Sequence, residues 1–295
     1  MKHYESLIIG HITKDINIDH EDNAVEISGG AVLYSTASAF ALGHNVAALT
    51  RLAPSDRDRL SQFTIPEENV FVIDCEKSTT IKNKYFTADK ERRDCVCLSR
   101  GTPFSSADLP DNVSADVYHL AGLIYGDYPD EMIAACAKKG RVAYDVQGCL
   151  RHADEATGKM FFEDWKNKKE LLPYISFLKT DAAEAEILTG TDDRAEAARI
   201  LHSWGAKEIL ITHNTEVLAF DGKEIFTCPI RARTLSGRTG RGDRTFAAYI
   251  NERLNSGVGE ALLYATATVS LKMETPGPFR GTRQDVDDYI REFYR

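Results

Sequence analysis

Short apolar runs alternate with longer amphipathic stretches along the whole chain. Residues 6–10, 46–50, 70–73, 117–120, 142–144, 175–178 and 209–212 form brief runs that are apolar at most positions. A strand that is apolar on both faces is buried on both, as in a parallel sheet covered by helices. Between these runs, residues 32–42, 129–139, 182–188, 194–204, 244–254 and 259–272 carry apolar side chains at helical spacing. Strand–helix–strand alternation of this kind predicts an α/β fold with a mostly parallel central sheet and helices on both faces.

Two segments break the rhythm. Residues 15–28 and 78–99 come where a helix is due, yet they read as polar strands. Residues 79–87 alternate apolar and polar, residues 88–94 form a charged turn, and Cys95-Val-Cys-Leu98 returns as a strand, which is the pattern of a hairpin. Strands inserted at about 13–28 and 77–100 therefore predict a small β-sheet that stands off the main domain as a lid. The whole chain, 1–295, reads as one domain bearing that insert. Residues 152–169 are charged and read as a solvated helix or loop.

Composition narrows the function. With 43% apolar and 27% charged residues, the chain has the balance of a folded globular protein. Its 36 basic and 45 acidic residues give a net charge of −9, the wrong sign for gripping nucleic acid or an anionic membrane surface. No apolar run approaches the roughly 20 residues that span a bilayer. The N-terminus runs straight into a strand without a signal-peptide core. The six cysteines are scattered, with no CxxC pair, and read as reduced thiols of a cytoplasmic protein.

The candidate chemistry is concentrated between Thr234 and Tyr249, where Gly237, Gly240 and Gly242 precede a helical pattern. Glycines ahead of a helix let backbone N–H groups converge on an anion, and the first turn adds unsatisfied donors and the positive end of the helix dipole. A P-loop is excluded, because Asp243-Arg244 stands where Lys-Ser/Thr is required. A carboxylate beside a phosphate cradle repels its ligand unless it has another task, such as taking a proton from a hydroxyl that attacks phosphorus. The alternative from spacing alone is a tight turn with Asp243 as a helix cap. No GxGxxG follows the first strand, where Gly10-His-Ile-Thr stands, so a nicotinamide dehydrogenase is disfavoured.

Three further motifs stand in order with this one. Gly10 is followed five positions later by Asp15. Gly29-Gly30 opens a helical run that ends in Leu42-Gly43. Lys179 precedes Asp181-Ala-Ala-Glu184 and Leu188-Thr-Gly190. With Arg238-Thr-Gly-Arg-Gly-Asp243, these resemble the signatures of the ribokinase-like carbohydrate kinases of the pfkB type, over nearly the whole chain. The resemblance implies a three-layer α/β/α domain with a β lid, and phosphoryl transfer from ATP to a hydroxyl of a sugar or polyol. It implies Asp243 as general base and the N–H groups of Gly240, Arg241 and Gly242 as anion hole. Asp15, Gly29, Gly30, Tyr34, Asp145 and Arg151 fall on the substrate side, and Lys179, Asp181, Glu184, Thr212, Asn214 and Thr239 on the nucleotide side. Glu184 and Asp181 would organise magnesium through water, since magnesium keeps most of its waters. The resemblance also leaves room for a monovalent cation and for a homodimer formed through the lid.

The sequence departs from the family's pattern at particular places. Arg241 stands for the usual alanine, and Arg244 for a small residue. Tyr34 replaces an asparagine of the first helix, and Asp181 an asparagine ahead of Glu184. Thr212-His-Asn214 replaces a T-x-G that touches nucleotide. Tyr34 and Asp145-Val-Gln-Gly148 resemble the inositol-kinase side of the family. Two other readings stay open: a nucleoside kinase with the base stacked on Tyr34, and a nucleotide- or sugar-binding protein without transfer activity.

Overall fold

The computed structural model describes residues 1–87, 93–234, 239–275, 277 and 279–295. Gly237 and Arg238 of the glycine-rich run, and most of the expected 88–94 turn, lie outside the described residues.

The chain opens with β1 (Lys2–Ile9), then makes an excursion through β2 (Thr13–Ile18) and β3 (Ala24–Gly29) before α1 (Ala31–Ala41) and β4 (Val46–Leu52). After β5 (Val70–Asp74) comes a second excursion, β6 (Thr79–Tyr85) and β7 (Arg93–Ser99). Then follow β8 (Val113–Leu120), α2 (Asp130–Ala137), β9 (Arg141–Asp145) and the single turn α3 (Gln147–Leu150). The short strands β10 (Arg151–Ala153) and β11 (Met160–Phe162) precede α4 (Lys168–Leu171), β12 (Phe177–Asp181), α5 (Ala182–Thr189) and α6 (Arg194–Ser203). The chain ends with β13 (Glu208–Thr212), β14 (Glu216–Phe220), β15 (Ile225–Pro229), α7 (Arg241–Glu252), α8 (Val258–Lys272) and α9 (Arg283–Phe293).

Nine strands form the large sheet in the order β15-β14-β13-β12-β9-β8-β1-β4-β5. Neighbours from β5 to β13 run parallel, and β14 and β15 close one edge antiparallel. The apolar runs are buried on both faces because helices cover both. Leu7, Ile9, Ile209 and Ile211 face the core shared with α2 and α6, whereas Leu210 and Val117 face the core of α7, α8 and α9. Helix α1 is rich in Ala and Ser and buried from Ala31 to Ala39, so it approaches α7 closely.

The two excursions pair into one small sheet of order β3-β2-β6-β7, as the alternating polar segments predicted. Its edge is extended by a feature that sequence periodicity misassigned. Residues 152–169 are not simply a solvated helix or loop. Strands β10 and β11 form a hairpin there, joined to β7 by a Val96–Lys159 bridge and by the Cys97 N–H donating to the Gly158 carbonyl at 2.8 Å. The hairpin's charged tip hid two three-residue strands, too short to show a period. The six cysteines form no disulfide. Among the described residues no helix is long and apolar enough to cross a membrane.

Candidate active site

The parallel strands end on one edge of the large sheet, where open α/β folds place their ligands. Asp145 closes β9, Asp181 closes β12 and Thr212 closes β13, so three separate strands deliver their last side chains to the same edge. Helix α7 begins there too. Gly240 is its N-cap in a left-handed conformation (φ 70°), and a side chain at Gly240 would meet the Tyr34 ring at 2.5 Å. The first helical bond of α7 is the Arg244 N–H to the Gly240 carbonyl. The N–H groups of Gly242 and Asp243 therefore have no intrahelical partner. Helix α1 steadies this turn, since Ser35 donates to the Asp243 carbonyl at 3.2 Å and Ser38 to the Arg244 carbonyl at 3.1 Å.

Beneath the turn lies a buried charge cluster. Lys179 Nζ is 3.1 Å from Asp145 and 3.7 Å from Glu184. A Cβ on Gly242 would lie 3.1 Å from the same Nζ. Burial works against the Lys179 charge, but Asp145, Glu184, Asp181 and Asp243 outweigh it and hold the ammonium above its ordinary range. The carboxylates outnumber it. Burial pushes Glu184 up to about 7, with Lys179 only partly opposing. Asp243 is partly exposed, but the protein packed around its carboxyl, with the Asp145 charge, pushes it up to about 6. Asp181 and Glu184 cap α5 reciprocally, each side chain accepting the other's backbone N–H at 2.8 Å. Among the described residues no three His, Cys, Asp or Glu side chains converge tightly enough to hold a metal alone.

On the small-sheet side, Asp15 is buried on the inner face of β2 and accepts from the Thr13 hydroxyl at 2.8 Å. Burial raises the Asp15 carboxyl pKa, and Thr13, Arg151 and Arg93 oppose it. Gly29 is required here, because a Cβ on it would fall 2.2 Å from the Asp15 carboxylate; Gly30 holds φ 105°, with its Cβ position 2.3 Å from the His11 carbonyl. Arg151 is buried, not a surface charge, and its Nε donates to the Leu123 carbonyl at 2.7 Å. Asp145 accepts from the Gln147 N–H at 3.1 Å and is buried against Lys179.

Sequence reasoning passed over a polar row on this inner face. Asn83 donates to Asn17 Oδ1 at 3.0 Å and accepts from the Cys95 thiol at 3.2 Å; Tyr85 is buried two residues on. The period of two that carries Asp15 to Asn17 and Ile81 to Asn83 and Tyr85 was the available signal.

At the end of β13 Thr212 is buried, and beyond it Asn214 is exposed and accepts from Arg241 Nη1 at 2.8 Å. Thr239 is exposed, and its carbonyl accepts from the buried guanidinium of Arg244, which lies 4.3 Å above the Tyr34 ring. One face of Tyr34 is thus already occupied.

The sequence pattern of the pfkB family carbohydrate kinases matches residues 17–283. The chain superposes on a pyrophosphate-dependent kinase of the ribokinase family, solved with a pyrophosphate analog and myo-inositol, with a TM-score of 0.86 and 32% identity, covering 96% of this chain and 99% of that one. An Arabidopsis thaliana ribokinase with ribose and ATP shares the fold, with a TM-score of 0.76 and 17% identity over 98% and 99% of the two chains. A cytidine kinase of Thermococcus kodakarensis is 24% identical over 245 residues, 80% of this chain and 84% of that one. The chain belongs to the pfkB family of carbohydrate kinases and is a phosphotransferase of ribokinase fold.

Proposed function

We propose that this kinase phosphorylates a hydroxyl of a cyclitol of the inositol type, with pyrophosphate as its preferred phosphoryl donor. The observation that carries the reading is the hydrogen bond from Arg241 to Asn214. It sets a guanidinium at the first residue of α7, on the donor side, where a short, wholly anionic donor needs positive charge for its second phosphate. The likeness to the pyrophosphate- and inositol-bound kinase over nearly the full length points the same way. On the acceptor side, Asp15, Asn17 and Asn83 offer hydrogen-bonding groups to a ring that carries only hydroxyls. Tyr34, with Arg244 on one face, is poorly placed to shelve a base.

In this reading the acceptor hydroxyl gives its proton to a carboxylate oxygen of Asp243 as its oxygen attacks the terminal phosphorus. The bond from phosphorus to the bridging oxygen breaks, and inorganic phosphate leaves. The N–H groups at the start of α7 meet the charge on the transferring phosphoryl, and Lys179 supports them from below. An excess of carboxylates around Lys179, two of them raised well above the ordinary range, fits a site that takes a divalent cation. Glu184 and Asp181 would hold magnesium through water, where it would neutralise charge on the donor phosphates. ATP in place of pyrophosphate is the second reading, favoured by the fold shared with the ATP-bound ribokinase.

The test is product release measured over inositols, pentoses, hexoses and nucleosides, each with pyrophosphate and with ATP. Turnover of a cyclitol with pyrophosphate is expected. Turnover of nucleosides alone would sink the acceptor assignment, and turnover with ATP alone the donor assignment. Val25 and Leu98 leave apolar side chains exposed on the small sheet. They support a homodimer formed through that sheet, which light scattering at micromolar concentration checks.

A further inference from the structure

Arg244 is an arginine where the family's pattern has a small residue, and it is among the largest fully buried side chains of the molecule, only 1% exposed. Burying a guanidinium is costly unless its donors are matched. Its partners are not carboxylates. One terminal nitrogen donates to the Thr239 carbonyl and the other to the Gly277 carbonyl at 2.8 Å, while the Tyr34 ring lies 4.3 Å from the guanidinium carbon. These contacts come from three places in the chain: the turn that leads into α7, the segment after α8, and α1. The ring and the nitrogen both press on Gly240, whose Cβ position lies 2.5 Å from Tyr34 and 2.8 Å from Arg244 Nη1. Main-chain carbonyls converging on a positive charge are the coordination that a potassium ion takes. Here a side chain supplies the charge. Burial pulls the Arg244 pKa down to about 10, so it stays charged at neutral pH.

We propose that Arg244 is a built-in cation that fixes the position of the anion-hole turn, so that this kinase needs no added monovalent cation. It is a positioning residue, since it reaches the reaction through the backbone of Thr239 and Gly240. The inference rests on the assignment of Gly240–Asp243 as the transfer site.

The experiment measures steady-state kinetics in potassium buffer and in tetramethylammonium buffer, with the preferred donor held the same. Wild type is expected to turn over equally in both. Arg244→Ala should lower kcat more than either KM, because a misplacement of about 1 Å at a transfer site costs on the order of 10²-fold. Millimolar guanidinium chloride or potassium should restore part of that loss. A purely structural role would not give rescue by a small cation. Arg244→Lys keeps the charge without the two-pronged fork and should fall between; it carries the comparison if Arg244→Ala does not fold. A wild type that depends on potassium would overturn the proposal. So would a folded Arg244→Ala with undiminished kcat, or one that no cation rescues. Asp243→Asn, run alongside, separates the levels: full turnover there would remove the site assignment and this inference with it.

Discussion

Replacing Lys179 by methionine tests how the buried charge cluster sets the reaction's pH dependence. As a base, Asp243 works only when deprotonated. At about 6, roughly nine-tenths of it is ionised at pH 7 and one-tenth at pH 5, so kcat/KM falls about tenfold per pH unit on the acid side. Lys179 is among the positive charges that hold this value down. Opposite charges within about 4–6 Å lower a carboxyl's pKa by about 1–3 units. Removing the ammonium should therefore move the acid limb upward from about 6 and leave less of Asp243 ionised at pH 7. The substitution also strands Asp145 and Glu184, which Lys179 pairs at 3.1 and 3.7 Å. Breaking such a buried pair costs about 3–5 kcal/mol. Glu184, left without its ammonium, binds a proton in the folded state that it releases on unfolding, so the variant's stability should fall as pH rises from 5 towards 8. The assay is kcat/KM from pH 5 to 9 for wild type and variant, with circular dichroism recording the folded state at each pH. An acid limb that does not move, or a wild-type profile flat down to pH 5, would refute Asp243 as the base governed by this cluster.

Other substitutions isolate single roles. Asp243→Asn keeps the shape and removes the proton acceptor, so kcat should fall about 10²–10⁴-fold with donor KM nearly unchanged, by steady-state kinetics. Asp15→Ala deletes a carboxylate that receives acceptor hydroxyls; a charged hydrogen bond is worth about 1.5–3 kcal/mol, so acceptor KM should rise about 10–10²-fold while donor KM holds. Gly30→Ala forces a Cβ to within 2.3 Å of the His11 carbonyl at φ 105°; thermal denaturation should register a loss above about 1 kcal/mol.

The large sheet was legible because each of its parallel strands is apolar on both faces, and the expected runs end within a few residues of the observed strands. The β14–β15 hairpin and α9 were not identified, though each carries a local signal: Asp221-Gly222 between two apolar runs, and a Thr282–Asp285 capping box. The site was legible as four motifs, because glycines and carboxylates at fixed spacings are written in consecutive residues. Arg244's partners were not. Thr239, Gly277 and Tyr34 meet it only through tertiary packing, and no local pattern reports that meeting. In the Asn17–Asn83–Cys95 row the period of two marks the inward face of each strand, but the pairing of the three strands that joins the row is not written in consecutive residues.

The pairing of β2 with β6 has a consequence for how the protein comes to be folded. Thr13 lies opposite Thr79 in parallel register, and Asn83 bonds Asn17 across a separation of 66 residues. Between them the chain runs through β3 and α1 and then through β4 and β5 of the large sheet. Parallel contacts of such long range form slowly, because loop closure precedes any reward. The phosphate-cradle turn closes over a still longer range, since Ser35 donates to the Asp243 carbonyl across 208 residues. A nascent chain therefore holds the wall that carries Asp15 before it holds the cradle. In a hydrogen-exchange time course of refolding, the amides of β2 and β6 should gain protection ahead of the Arg244 amide, which closes the first turn of α7. The capacity to cradle phosphate would then be the last property the molecule gains on folding.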